Sequence, residues 1–94
     1  MAKFTTRVEL HNSQDADYDE LHAAMERRGF ERTISVNGIL YQLPHAEYIL
    51  EGELTQKAVC QKASRACDEI NKEAGIMVTK SAGRHYSGLK RAKK

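Results

Sequence analysis

Hydrophobic and polar residues alternate through residues 4–11, FTTRVELH, so that every second side chain from Phe4 to Leu10 falls on one face. Alternation with a period of two is typical of a strand with one buried side. Residues 17–28 carry apolar side chains at helical spacing, after a stretch, SQDAD, whose oxygens suit a helix N-terminus. Gly29 can adopt the left-handed conformation that closes a helix. The pattern therefore predicts a strand followed by a helix.

The next signal along the chain is that of a hairpin. Residues 32–36 and 39–43 flank Asn37-Gly38, a pair that tolerates the positive φ angles of a type I′ turn. A two-residue loop sets Ile34 opposite Tyr41 and puts one apolar face on both strands. Pro44 cannot donate a hydrogen bond to a neighbouring strand, so it predicts a bulge or an edge. The third strand then resumes to residue 50 and is long and bent.

The second half of the chain predicts one more helix and one more strand. Thr55 is placed to cap the helix, whose apolar residues form one stripe, and Gly75 is expected to end it. Residues 76–79, IMVT, form the last short strand. The order strand, helix, strand, strand, helix, strand predicts an α+β, ferredoxin-like fold. Its four-stranded antiparallel sheet has the order 4-1-3-2, with both helices on one face.

The same patterns predict which side chains are buried and which face of the sheet stays open. The open face of the first strand is polar, where RNA-recognition domains of this topology carry aromatic residues that stack on bases. We expect this face, or its edge, to form a homodimer, since Leu40 and Ile49 are apolar but lie off the core pattern. The predicted core comprises Val8, Leu10, Leu21, Met25, Ile34, Tyr41, Val59, Ala63, Cys67, Ile70 and Val78.

Length and charge define one small domain with an uneven charge distribution. We assign the domain to residues 1–89 and a basic tail to residues 90–94. Residues 80–94 contain six Lys or Arg and no Asp or Glu, whereas residues 1–79 have a net charge of −4. A basic segment on an acidic body can dock on a nucleic acid or an anionic lipid, but a basic chain end can also be merely solvated. Composition leaves both interpretations open.

The cysteines and the lack of long apolar runs bear on the cellular compartment. Cys60 and Cys67 lie seven residues apart in a predicted helix. That spacing corresponds to about 10 Å along the axis, which is too far for a disulfide. They are expected to be packing residues in a reducing compartment. The sequence contains neither a signal-peptide pattern nor a transmembrane run, so we expect a cytoplasmic protein with no membrane partner.

The candidate chemistry rests on histidine and arginine. None of the four histidines stands four residues from another histidine or from a cysteine, so neither a metal site nor another cofactor is expected. Metal-free RNA cleavage needs a base that takes the 2′-hydroxyl proton and cations that hold the phosphorane. His22 and Arg28, both on the predicted first helix, are the candidate catalytic residues. The candidate RNA-binding residues are Arg32, Lys80, Arg84, His85, Lys90 and Arg91.

Four stretches carry a family resemblance: FTTRVELH (4–11), LHAAMERRGF (21–30), YQLPHAEY (41–48) and VTKSAGR (78–84). Together they resemble small bacterial and phage proteins grouped with the GhoS-type endoribonuclease antitoxins, over residues 4–89. The resemblance implies a ferredoxin-like fold, similar to the small CRISPR-associated subunit needed for spacer acquisition. It also implies an RNase that cleaves the messenger RNA of a membrane-active toxin. Where this chain has His22, the antitoxin branch has an arginine, which keeps the basic character but changes the chemistry.

Three functions are compatible with these observations. The resemblance and the basic end favour an RNA-binding, antitoxin-like protein and leave open whether it also cleaves RNA. The acidic body and the polar sheet face suit a non-enzymatic protein-interaction module, encoded by a phage or mobile element and acting on a host defence complex. A structural homodimer without a nucleic-acid role would leave the basic tail as a device for keeping the protein dissolved.

Overall fold

The computed structural model describes residues 2–81 and 91–92. Within them two helices and five strands follow one another as β1 (Ala2–Leu10), α1 (Asp15–Arg27), β2 (Thr33–Val36), β3 (Ile39–Gln42), β4 (Glu47–Gly52), α2 (Gln56–Glu69) and β5 (Ala74–Lys80). Strand β1 pairs antiparallel with β4 on one side and with β5 on the other. Strands β2 and β3 form a separate two-stranded antiparallel sheet. The predicted α+β class is confirmed.

The hairpin formed by β2 and β3 has the predicted register. Val36 is opposite Ile39 and Ile34 is opposite Tyr41. Asn37 and Gly38 both adopt positive φ angles, 53° and 79°. A type I′ turn requires this conformation at both central positions, which is why the Asn-Gly pair was a reliable signal.

The predicted long third strand is divided into two strands that belong to different sheets. Strand β3 ends before Pro44, and Ala46 has a φ angle of 69°. The amide of Glu47 donates to the carbonyl of Pro44 at 3.1 Å, which closes a turn between β3 and β4. Because proline lacks an amide hydrogen and Ala46 is in the left-handed region, pairing cannot continue through this segment. The described residues therefore form a three-stranded and a two-stranded sheet, linked by a bridge between Glu31 and Ile49.

The helix ends are set by local hydrogen bonds, of which sequence reasoning identified some. The hydroxyl of Thr55 accepts a bond from the amide of Ala58 at 3.0 Å, as predicted for the cap of α2. Gly29, with a φ angle of 89°, closes α1 as expected. The prediction that Gly75 ends α2 was wrong, because Asn71 already takes the left-handed conformation at a φ angle of 57°. Neither described helix is long and apolar enough to cross a membrane.

The core combines the apolar face of β1 with side chains from both helices. Of the predicted core residues, Val8, Leu10, Leu21, Met25, Val59, Ala63 and Cys67 are buried. The rest of that prediction is only half-buried: Ile34, Tyr41, Ile70 and Val78. The bulky residues that the prediction left out are Phe4, Phe30, Tyr48 and Leu50. The core thus lies under the three-stranded sheet, and the β2–β3 hairpin contributes less than expected.

The structure covers one of the two apolar side chains that suggested a homodimer. Ile49 is only 7% exposed within a single chain, and Glu31 pairs with it through two backbone hydrogen bonds of 2.7 and 2.8 Å. Ile49 therefore needs no partner copy to cover it. Leu40 is half-buried, and its carbonyl accepts a hydrogen bond from the amide of Ala92 at 3.0 Å. The homodimer itself stays a prediction.

Candidate functional site around His22 and His45

His22 lies on the buried face of α1 and contacts a tyrosine of β4. Its side chain is 8% exposed, and its Nδ1 atom is 2.6 Å from the hydroxyl oxygen of Tyr48. Tyr48 is fully buried on the strand that pairs with β1. The helix supplies the histidine because Leu21, Ala24 and Met25 bury this face in the core. The result is a buried hydrogen bond between two side chains that can both exchange protons.

Burial keeps both partners of this bond neutral near pH 7. Loss of water, reinforced by the positive charge of Arg32 and by the neighbouring His45, lowers the pKa of His22 to about 4. Burial also raises the pKa of the Tyr48 phenol well above its ordinary value. The tyrosine hydroxyl can therefore donate to Nδ1 or accept from it without separating charge. His22 is a weak base in this environment.

Five aromatic side chains gather around this bond, and we call them the ring cluster: Tyr18, His22, Phe30, His45 and Tyr48. His45 meets His22 edge-on with ring centroids 5.7 Å apart, and lies 4.5 Å from the ring of Tyr18. The hydroxyl of Tyr18 accepts a hydrogen bond from the amide of Leu10 at 3.1 Å, which ties the cluster to the end of β1. Among the two histidines of the cluster, His45 is the exposed one.

His45 reaches the cluster because of the turn that separates β3 from β4. It follows Pro44 and precedes the buried, positive-φ Ala46, whose carbonyl accepts a hydrogen bond from Val8 at 3.0 Å. The sequence did not identify His45 as a candidate residue. The signal was the PHA turn in a stretch already marked by proline, but its approach to α1 depends on the packing of β4 against β1.

The structure brings Arg32, and not Arg28, to the neighbourhood of His22. The guanidinium of Arg28 donates to the carbonyl of Ala24 and to the carboxylate of Glu69, both at 3.0 Å. Glu69, at the end of α2, also accepts from Arg27, so these arginines join the two helices. Arg32 follows α1 in the chain, is half-buried, and its charge acts on both His22 and Tyr48.

The predicted RNA-binding residues fall into three groups. Arg84, His85 and Lys90 lie outside the described residues. Lys80 is exposed and pairs with Phe4, at the opposite end of β1 from the ring cluster. Arg91 forms a bridge with Tyr41 of β3 and lines a cavity together with Arg32. Two predicted contacts, Arg32 and Arg91, are thus brought together by the fold.

The described residues contain no set of side chains arranged to bind a metal ion. Among residues 2–81 and 91–92, no group of three or more His, Cys, Asp or Glu side chains is arranged to hold a metal ion. Cys67 is buried, and burial raises the pKa of its thiol. The chemistry available in the described part of the site is therefore that of imidazole, phenol and guanidinium groups.

We expect the free energy of unfolding to fall as the pH drops below about 6.5. The pKa of His22 is about 4 in the folded protein and 6.5 without the influence of the fold. Between these values the unfolded chain binds a proton that the folded protein does not, so unfolding becomes more favourable as the pH falls, down to about pH 4. Urea unfolding at about pH 7.5 and about pH 5 measures the loss.

The control for this prediction is His22→Gln, which keeps a polar group beside Tyr48 but cannot take up a proton. The variant should lose less stability than the wild type between the two pH values. Carboxylates titrate equally in both proteins and cancel in the comparison. Equal losses would show that His22 does not titrate differently in the folded and unfolded states.

The family resemblance rests on the four stretches of sequence quoted above. One of them, residues 78–84, extends beyond the described residues. Membership of the GhoS-type family stays a prediction that depends on these residues alone, since comparison of the chain with protein-family models, curated proteins and solved structures found no match.

Proposed function

We propose that this protein is an antitoxin-like RNA-binding protein that cleaves single-stranded RNA at the ring cluster without a metal ion. The observation that supports the proposal is the surroundings of His22, which has an imidazole, His45, and a guanidinium, Arg32, beside it. A base and a cation are the groups that metal-free cleavage next to a ribose 2′-hydroxyl requires. The sequence predicted His22 and Arg28 as the catalytic residues, whereas this proposal has Arg32 in place of Arg28.

The two histidines take different roles in the proposed reaction. His45 is exposed and can reach a bound RNA, so it is the base that removes the 2′-hydroxyl proton. The 2′-oxygen then attacks the adjacent phosphorus and the bond to the 5′-oxygen breaks, with water protonating the leaving group. Arg32 stabilises the negative charge that accumulates on the phosphorane. His22 is too weak a base for proton removal, and it positions His45 through their edge-on ring contact.

The finer description of the fold is part of the same proposal. The pairing β5-β1-β4 in one sheet and β2-β3 in the other would follow the order 4-1-3-2 if β3 and β4 counted as one interrupted strand. We propose on this basis that the chain has a ferredoxin-like arrangement broken at Pro44. That arrangement supports the resemblance to the GhoS-type antitoxins, which implies the same topology.

Incubation of the purified protein with RNA, in the presence and absence of EDTA, tests the function. We expect cleavage to persist with the chelator, because the proposed base and cation are side chains. The products should end in a 2′,3′-cyclic phosphate and a 5′-hydroxyl, since the attacking group is the neighbouring 2′-oxygen. Loss of cleavage with EDTA, or 5′-phosphate products, would contradict the mechanism.

A second candidate function is a protein-interaction module without enzymatic activity. It is favoured by Met77, which is 69% exposed on β5 and lies opposite Arg7 of β1. An apolar side chain at this exposure is available to a partner, and such side chains mark contact surfaces where they join into a patch. A host defence complex or a second copy of the chain would be the partner. If the protein neither binds nor cleaves RNA at low salt, this function becomes the better explanation.

A further inference from the structure

A cavity of about 570 Å³ adjoins the ring cluster. Phe30 belongs to both, since it lines the cavity and its ring meets Tyr48 edge-on at a centroid distance of 6.3 Å. The volume falls in the range of pockets that hold small molecules and cofactors. The full lining comprises Glu26, Phe30, Glu31, Arg32, Thr33, Gln42, Arg91 and Ala92.

Charges of both signs line this cavity, and among the described residues they form no ion pairs with one another. Glu26, Glu31, Arg32 and Arg91 contribute two negative and two positive groups. In the part of the chain that the structure describes, the ion pairs join Arg27 and Arg28 to Glu69, and Lys72 to Asp17. The cavity is therefore suited to a ligand that carries an anion and a set of hydrogen-bond donors at separate positions. The glutamates would repel a ligand that carries only negative charge, and the arginines would repel a ligand that carries only positive charge.

The backbone holds two of these charged residues in place. The amide and carbonyl of Glu31 bond to the carbonyl and amide of Ile49, at 2.7 and 2.8 Å. Arg91 forms a bridge with Tyr41, and the next residue donates its amide to β3 at 3.0 Å. Side chains that start from a fixed backbone lose less entropy when they bind a ligand.

Building on the proposed RNA cleavage, we propose that this cavity binds a guanosine nucleotide of the RNA, on the 5′ side of the cleaved phosphate. Arg32 and Arg91 contact the phosphate attached to its 3′-oxygen, which places that phosphate beside the ring cluster. A carboxylate of Glu26 or Glu31 accepts hydrogen bonds from the N1–H group and the 2-amino group of guanine. The cavity thus recognises the nucleotide by its phosphate at one end and by two adjacent hydrogen-bond donors of the base at the other.

Guanine is selected because of the hydrogen-bonding pattern on its Watson–Crick edge. It presents two neighbouring donors, which one carboxylate can accept together. Adenine and cytosine each place a ring-nitrogen acceptor beside their amino group, so a carboxylate would be repelled by one of the two. Uracil has a single donor flanked by two carbonyl oxygens. Single-stranded RNA exposes these edges to protein side chains.

The test measures binding of the four ribonucleoside 3′-monophosphates by calorimetry, with the full-length protein. We expect the guanosine nucleotide to bind about tenfold more tightly than the adenosine nucleotide, in line with the discrimination of a bidentate contact. The double variant Glu26→Gln/Glu31→Gln should abolish this preference without weakening the adenosine nucleotide, because adenine does not present two adjacent donors to a carboxylate. The matched variant Glu51→Gln/Glu53→Gln, with both positions exposed and outside this cavity, should keep the preference.

The arginine arm of the experiment separates phosphate binding from base recognition. Arg91→Ala should weaken all four nucleotides by a similar factor, since each carries the same phosphate. The control is Arg65→Ala, at an exposed position on α2 outside this cavity, which should leave binding unchanged. Amide NMR spectra that match the wild type establish that each variant is folded. An effect of Arg91→Ala on the guanosine nucleotide alone would contradict the assigned role.

Cleavage positions on a defined RNA distinguish failure of this inference from failure of the proposed function. Metal-free cleavage after guanosine supports both. Metal-free cleavage with no base preference, together with equal binding of the four nucleotides, overturns the guanosine site and leaves the proposed function standing. Intact RNA with selective guanosine binding overturns the cleavage proposal alone. Intact RNA and no nucleotide binding overturn both.

Discussion

Replacing Leu21 by alanine is expected to lower the free energy of unfolding by about 3 kcal/mol, as large-to-small changes in a packed core do. Leu21 is 0% exposed on α1 and belongs to the same buried cluster as Phe4 and Val8 of β1. The variant removes part of its side chain from a site where rigid neighbours cannot close the gap. Urea unfolding at neutral pH measures the change.

Leu54→Ala is the matched control, because it deletes the same atoms from a side chain that is 38% exposed. We expect its cost to be about 1 kcal/mol, since more than a third of this side chain already meets water and no core cavity forms. Similar costs at the two positions would contradict the assignment of the α1 face that packs on the sheet. So would a change below about half a kcal/mol at Leu21.

Replacing His45 by alanine is expected to slow RNA cleavage about a hundredfold or more, the typical contribution of a general base. The proposed mechanism has no other exposed imidazole in the ring cluster to take the 2′-hydroxyl proton. Stability should hardly change, because the side chain is exposed. Single-turnover cleavage of a short single-stranded RNA, with EDTA present, measures the rate.

His11→Ala is the control for this prediction. His11 is also exposed, but it follows the end of β1 and makes no ring contact with the cluster. Its replacement should leave the cleavage rate close to that of the wild type. If His45→Ala cleaves as fast as His11→Ala, another group removes the proton and the role of His45 must be abandoned.

Of the residues in and around the ring cluster, the sequence identified His22 but paired it with Arg28 instead of Arg32. His22 was identified because it is a histidine on an amphipathic helix followed by arginines. Arg28 was chosen as its partner because it lies on the same helix, yet its guanidinium bonds to Glu69, which is 41 residues away in the chain. The arginine that acts on His22 is Arg32, beyond the end of α1. Proximity in sequence was a poor guide, since side-chain direction depends on the neighbouring helix.

The fold shows the same division between local and distant effects. The β1 alternation, the Asn37-Gly38 turn and the Thr55 cap were predicted correctly, because each depends on backbone angles or hydrogen bonds within a few residues. The end of α2 was wrong although it is local, because Asn71 can adopt the left-handed conformation that sequence reasoning reserved for Gly75.

By itself, therefore, the sequence determined the elements of this protein and the face that each helix buries, which follow from periodicity and local backbone preferences. Only the tertiary structure decided that β3 and β4 separate at Pro44 and join different sheets. It also decided that His45 and Tyr48 meet His22. These contacts join residues more than twenty positions apart in the chain. They form because β4 pairs with β1 and both strands bury apolar side chains in the common core, which no local pattern specifies.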